Sequence, residues 1–104
     1  MKSSKLVRDK IIQIKRRAGE NPNFHIADDK EYWQSLVKKL REELIELVRA
    51  KTDKGKAEEF VDVQEVLDAM FKHLGLKRKY VKFIKEKKAK EKGRFKKKII
   101  LEEA

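Results

Sequence analysis

Leu40-Arg41-Glu42-Glu43-Leu44-Ile45-Glu46 and Glu58-Glu59-Phe60-Val61-Asp62 carry the same acidic spacing twice within one short stretch. Read as helices, Glu43 with Glu46 and Glu59 with Asp62 are i, i+3 pairs, standing one turn apart on one side of each helix. The link between them, residues 47–58, contains Thr52-Asp53-Lys54-Gly55, a turn-forming cluster. Two helices joined by so short a turn pack antiparallel, which lets the two acidic pairs face each other. The reading is therefore all-α: a helical hairpin with flanking helices, forming a four-helix-bundle-type core completed by oligomerisation.

The apolar residues around these pairs set their depth. A capping-box pattern, Asp28 followed by Glu31, opens the first hairpin helix, which runs to about Lys51 with Trp33, Val37, Leu40, Leu44 and Leu47 as its stripe. The second, residues 56–74, has Phe60, Val63, Leu67, Phe71 and Leu74. At about 100° per residue, Glu43 lies roughly 80° and Glu59 roughly 70° from the middle of its stripe, on the same rotational side. Both motifs are thus expected at the margin of a core-facing surface, half-buried yet open to solvent. Four carboxylates held together repel one another, and a hard divalent cation with oxygen ligands relieves that repulsion, Mg²⁺ first and Mn²⁺ second. A cation so held is in turn a docking point for phosphate.

Before the hairpin, residues 5–17 have apolar positions at 7, 11 and 14 and predict a first helix, with Ser3 or Ser4 as its cap. Residues 20–27 read as a loop around Asn21-Pro22-Asn23. Beyond it, Gly75 is positioned to end the third helix, residues 77–92 predict a fourth, and Ile99-Ile100-Leu101 is expected to form a short extended segment. The two histidines, His25 and His73, read as incidental. Glu65 and Asp68 continue the acidic side of the third helix and read as ion-pairing residues.

Composition bounds the rest. At 104 residues the chain reads as a single domain, 1–104, large enough for a modest core but poorly suited to enclosing a ligand cavity unaided, so a homo-oligomer, dimer or tetramer, is expected. The absence of cysteine removes disulfides and thiolate metal sites; with no signal-peptide pattern and no apolar run long enough for a bilayer, the expectation is a cytoplasmic protein without membrane contact. The net charge of +11 is concentrated in residues 77–98, which hold 13 Lys or Arg against Glu86 and Glu91, whereas residues 28–68 hold 12 acids and 8 bases. The molecule is polarised into an acidic centre and a Lys-rich segment.

Lys39-Leu40-x-Glu42-Glu43-x-x-Glu46 with Glu58-Glu59-x-x-Asp62-Val63 resembles the paired signature of the all-α nucleoside triphosphate pyrophosphohydrolases, the MazG-like and phosphoribosyl-ATP pyrophosphohydrolase-like group. Lys5-Leu6-Val7-Arg8-Asp9-Lys10-Ile11 is similar to the opening motif of its small members, and Gly93-x-Phe95 followed by Ile99-x-Leu101 to their C-terminal end. Ile12 and Arg94 stand where that group often has Pro and Gly, and the basic fourth helix is a further departure. The resemblance implies cleavage of a nucleotide substrate, a nucleoside triphosphate or phosphoribosyl-ATP, between its α and β phosphates to give a monophosphate and pyrophosphate. Glu43, Glu46, Glu59 and Asp62 would then be the Mg²⁺ ligands, with one of them or Glu42 as general base. Arg8, Lys10, Lys92 and Arg94 are the phosphate-binding candidates, because Arg grips phosphate bidentately and Lys as a point charge. Trp33 or Phe95 could stack on a base, although at helical spacing Trp33 reads first as core.

Three readings of other classes compete, the plainest being a purely structural helical partner protein. Thirteen bases in 22 residues could neutralise many phosphates, so a basic helical nucleic-acid-binding module is the alternative function. It leaves the acidic centre without a purpose and offers few aromatics for reading single strands. A carboxylate-bridged di-iron bundle wants Glu-x-x-His, and neither histidine lies three residues after Glu43 or Glu59.

Overall fold

Apolar residues recurring at the helical period produce helices: the computed structural model describes residues 4–103 and contains α1 (Ile11–Arg17), α2 (Asp29–Arg49), α3 (Asp53–His73) and α4 (Arg78–Lys92). Among the described residues there is no strand, so the chain is all-α. It is divided into two compact units, Met1–Leu74 and Gly75–Ala104.

In the first unit, α2 and α3 pack along each other as the expected hairpin. The start of α2 is fixed by Asp28, whose Oδ1 accepts from the Glu31 backbone N–H at 2.8 Å. Glu31 does not complete the capping box; its carboxylate instead meets His25 Nε2 at 2.8 Å. The helix starts three residues earlier in α3 than the spacing predicts. Thr52 Oγ1 accepts from the Gly55 N–H at 3.0 Å, so the turn-forming cluster is an N-cap and first turn, which shortens the hairpin link to residues 50–52.

Helix α1 is shorter than the periodicity predicts. Residues 4–8 are not helical, and Lys10 is an N-cap with no side-chain cap bond. Ser4 is therefore not the cap, and Ser3 lies outside the described residues. The physical reason is tertiary: Leu6 and Val7 are half-buried, and Arg8 reaches across 54 residues of sequence to Asp62.

The core is small, consisting of Leu36 on α2, 2% exposed, with Val63 and Val66 on α3. The faces that meet are rotated relative to the predicted stripes. Leu36, absent from the predicted stripe, is the most buried of the three, while Leu44, Phe60, Leu67 and Leu74 are exposed. Glu43, Glu59 and Asp62 are half-buried at the edge of these faces, as their offset from the stripes predicts. The helical period then gathers Leu44 and Val48 on α2 with Phe60 and Leu67 on α3 along one flank, and leaves Glu42, Glu46 and Glu65 toward the other.

In the second unit, Gly75 has φ +67 at the predicted helix end, and α4 is followed by Gly93 with φ +80, a left-handed backbone that favours glycine. Arg94 Nη2 donates to Glu86 Oε2 at 3.1 Å, folding the segment after Gly93 back along α4. Residues 99–101 belong to no helix or strand and are exposed.

Candidate metal centre

Glu43 is one turn beyond Lys39 on α2, and Glu59 and Asp62 are one turn apart on α3, so the short link and antiparallel packing bring the two motifs face to face. One carboxylate oxygen from each of Glu43, Glu59 and Asp62 lies within 4.8 Å of the others, all three side chains being half-buried. Glu46, the fourth expected ligand, is exposed and outside this group, yet near enough for its charge to act on Glu59.

The electrostatics are those of crowded anions. The Glu59 carboxyl is held above the ordinary carboxylate range, first by its removal from water, then by hydrogen bonding with the Glu43 carboxyl and by the negative charges of Glu43, Asp62 and Glu46. Glu59 Oε2 is shielded from solvent and has no hydrogen-bond partner. A buried acceptor left unpaired is costly, and a cation is the partner its chemistry calls for. All-oxygen ligands of this kind suit Mg²⁺ or Mn²⁺. Two positive groups already approach: Arg8 Nη2 lies 2.7 Å from Asp62 Oδ1, and Lys39 Nζ lies 3.6 Å from Glu43 Oε1.

The other predicted site residues are placed as follows. Glu42 is half-buried beside a cavity of about 10 Å³ shared with Ser4, Lys5 and Leu6, away from the converging oxygens. Of the cationic candidates, Arg8 alone is bonded to the trio; Lys10 is exposed at the start of α1. Lys92 is exposed and Arg94 is paired with Glu86, both within the C-terminal unit. Trp33 is half-buried and its ring stacks on His73 at 5.7 Å, while Phe95 is 99% exposed. His73 was the residue that sequence missed: Tyr32 meets it edge-on at 5.3 Å, so it is held between two aromatic rings. The i, i+1 aromatic pair opposite the end of α3 was the available signal. Glu65 and Asp68 take part in no salt bridge among the described residues, which departs from the ion-pairing role expected of them.

No helix is long and apolar enough to cross a membrane among the described residues. No family model matches the sequence, and no solved structure matches it. An uncharacterized protein of Mycolicibacterium smegmatis (strain ATCC 700084 / mc(2)155) is 43% identical over 49 residues, 47% of this chain and 50% of that protein. The chain thus matches about half the length of this relative.

Proposed function

We propose that the chain is a metal-dependent nucleotide pyrophosphohydrolase, cleaving a nucleoside triphosphate or phosphoribosyl-ATP between the α and β phosphates. The observation that carries this reading is the convergence of Glu43, Glu59 and Asp62 from two helices, with a shielded, unpartnered oxygen on Glu59. The resemblance of the paired acidic motifs and of the Lys5–Ile11 segment supports the nucleotide as substrate.

Glu43, Glu59 and Asp62 would hold Mg²⁺, or Mn²⁺ in its place, with the charge of Glu46 acting on the group from outside it. Bound there, the ion would polarise phosphoryl oxygens and lower the pKa of water. Arg8 is placed to exchange Asp62 for a phosphate oxygen, since a guanidinium pairs with both. Water adds to phosphorus, the α–β anhydride bond breaks, and the proton lost by water passes to a carboxylate. One of the four site carboxylates or Glu42 would accept it.

The exposed apolar flank formed by Leu44, Val48, Phe60 and Leu67 supports assembly into a homo-oligomer. A hairpin that buries only three side chains has much to gain by covering that flank with a second copy, giving the four-helix core.

The test is pyrophosphate release from a panel of nucleoside triphosphates and phosphoribosyl-ATP, with Mg²⁺, Mn²⁺ or a chelator. Release that requires metal and is lost in Glu59→Gln is the expected result. Silence across the panel would overturn the reading and direct attention to the Lys-rich segment, where salt titrations with RNA and DNA test the nucleic-acid alternative.

A further inference from the structure

A cleft of about 430 Å³ lies in the N-terminal unit between the segment before α1, the first turn of α2 and the last turns of α3. Its inner wall is half-buried: Tyr32, Ala69 and His73. Its rim is made of three carboxylates, Asp9, Glu65 and Asp68, none of them in a salt bridge among the described residues. The volume lies within the range of small-molecule sites. The cleft also adjoins the metal centre: Glu65 is one turn beyond Asp62 on α3, and Asp9 follows Arg8, which is bonded to Asp62.

Two classes of occupant are disfavoured. A phosphate would meet three negative charges. A second metal ion would need the rim oxygens to converge, and among the described residues only Glu43, Glu59 and Asp62 do so. The lining suits a group that donates hydrogen bonds at its edge and offers a face to aromatic rings, and within a nucleotide bound at the adjoining centre the base is the part that does both.

We infer that this cleft receives the base of the nucleotide, and that its carboxylate rim selects bases bearing an exocyclic amino group over those presenting a carbonyl there. The inference rests on the nucleotide reading given above. Ionised carboxylates only accept hydrogen bonds, so the amino groups of cytosine, adenine or guanine find partners at Asp9, Glu65 or Asp68. The carbonyl oxygens of uracil or hypoxanthine face those same charges unpaired. Lys72 at the rim supplies a donor for the ring nitrogen or carbonyl beside the amino group.

Trp33, the only tryptophan in the chain, stacks on His73 and reports on the cleft by fluorescence. The experiment titrates the full chain, in Mg²⁺, with cytidine against uridine and adenosine against inosine, and repeats this in Glu65→Gln/Asp68→Asn. In parallel, pyrophosphate release is measured from the four corresponding triphosphates. The expected result is tighter binding and higher kcat/KM for the amino-bearing member of each pair, by about tenfold, with the preference shrinking in the double variant. Metal-dependent release with no preference within the pairs, or a preference untouched by the double variant, overturns the cleft assignment and leaves the pyrophosphohydrolase reading standing. Absence of release from every nucleotide overturns the reading itself and the assignment with it.

Discussion

Arg8 Nη2 sits 2.7 Å from Asp62 Oδ1, so one of the converging carboxylates already has a cation beside it, supplied by a segment whose periodicity alone predicts helix. Arg8 and a divalent ion compete for the same carboxylate. Replacing Arg8 with Gln is therefore expected to tighten Mg²⁺ binding severalfold while lowering kcat/KM with a nucleotide by about tenfold or more, the scale of a lost charge-assisted hydrogen bond. Calorimetric Mg²⁺ titration and a pyrophosphate assay check the two halves separately. Both quantities unchanged would show that Arg8 is only a surface partner of Asp62.

Glu59→Gln separates folding from chemistry. It removes a proposed metal ligand and one of the mutually repelling charges. Turnover is expected to fall by more than the roughly 100-fold that loss of an outer-shell partner costs, while the melting temperature of the metal-free protein stays level or rises. A variant that unfolds, or one that retains a tenth of wild-type turnover, contradicts the placement of Glu59.

The raised Glu59 pKa gives a pH dependence with a definite sign. The folded chain holds this proton more tightly than the unfolded chain, so between the ordinary carboxylate value and the raised one the folded state binds more protons. Raising the pH through that window lowers stability, and the full loss is reached above the folded pKa. Melting curves of wild type and Glu59→Gln from about pH 4 to about pH 7.5 isolate this slope as their difference. Saturating Mg²⁺ is expected to abolish the difference in slope near neutrality. A wild-type curve that gains on the variant with rising pH in chelator would reverse the sign and refute the argument.

Leu36 and Leu67 answer different questions. Leu36→Ala opens a cavity in a three-residue core and is expected to cost about 3 kcal/mol, measurable by urea unfolding. Leu67→Glu places a charge on the exposed apolar flank, and the expected effect is dissociation into monomers, seen by sedimentation, with loss of stability following from it. An unaltered sedimentation profile for a protein that is oligomeric as wild type would place the interface elsewhere.

The hairpin and the convergence of Glu43, Glu59 and Asp62 were legible because they depend on local spacing and a short link: a helix period and a turn bring those positions to apposed faces. Asp28 as cap and Gly75 and Gly93 as helix ends were legible for the same reason. What escaped was rotational. Periodicity marks several apolar rows on α2 and α3, and only packing decides that Leu36, Val63 and Val66 meet while Leu44, Phe60 and Leu67 do not. The early residues of α1 were misread because their helical period competes with a bond from Arg8 to a residue 54 positions away, which no local pattern contains. Glu46 meets the spacing rule and still misses the cluster, since it lies a further turn round from the apposed face.

The three-residue link between α2 and α3 also fixes an order of events. Glu43 and Asp62 are brought together by closing a short loop, whereas Arg8 must be recruited over a far longer one, and short loops close first. The carboxylates are thus assembled, with Lys39 alone beside Glu43, before Arg8 reaches Asp62. During that interval the nascent hairpin repels itself, and a divalent ion in the surrounding solution would act as a folding catalyst, accelerating the refolding of wild type and leaving that of Glu59→Gln much less affected.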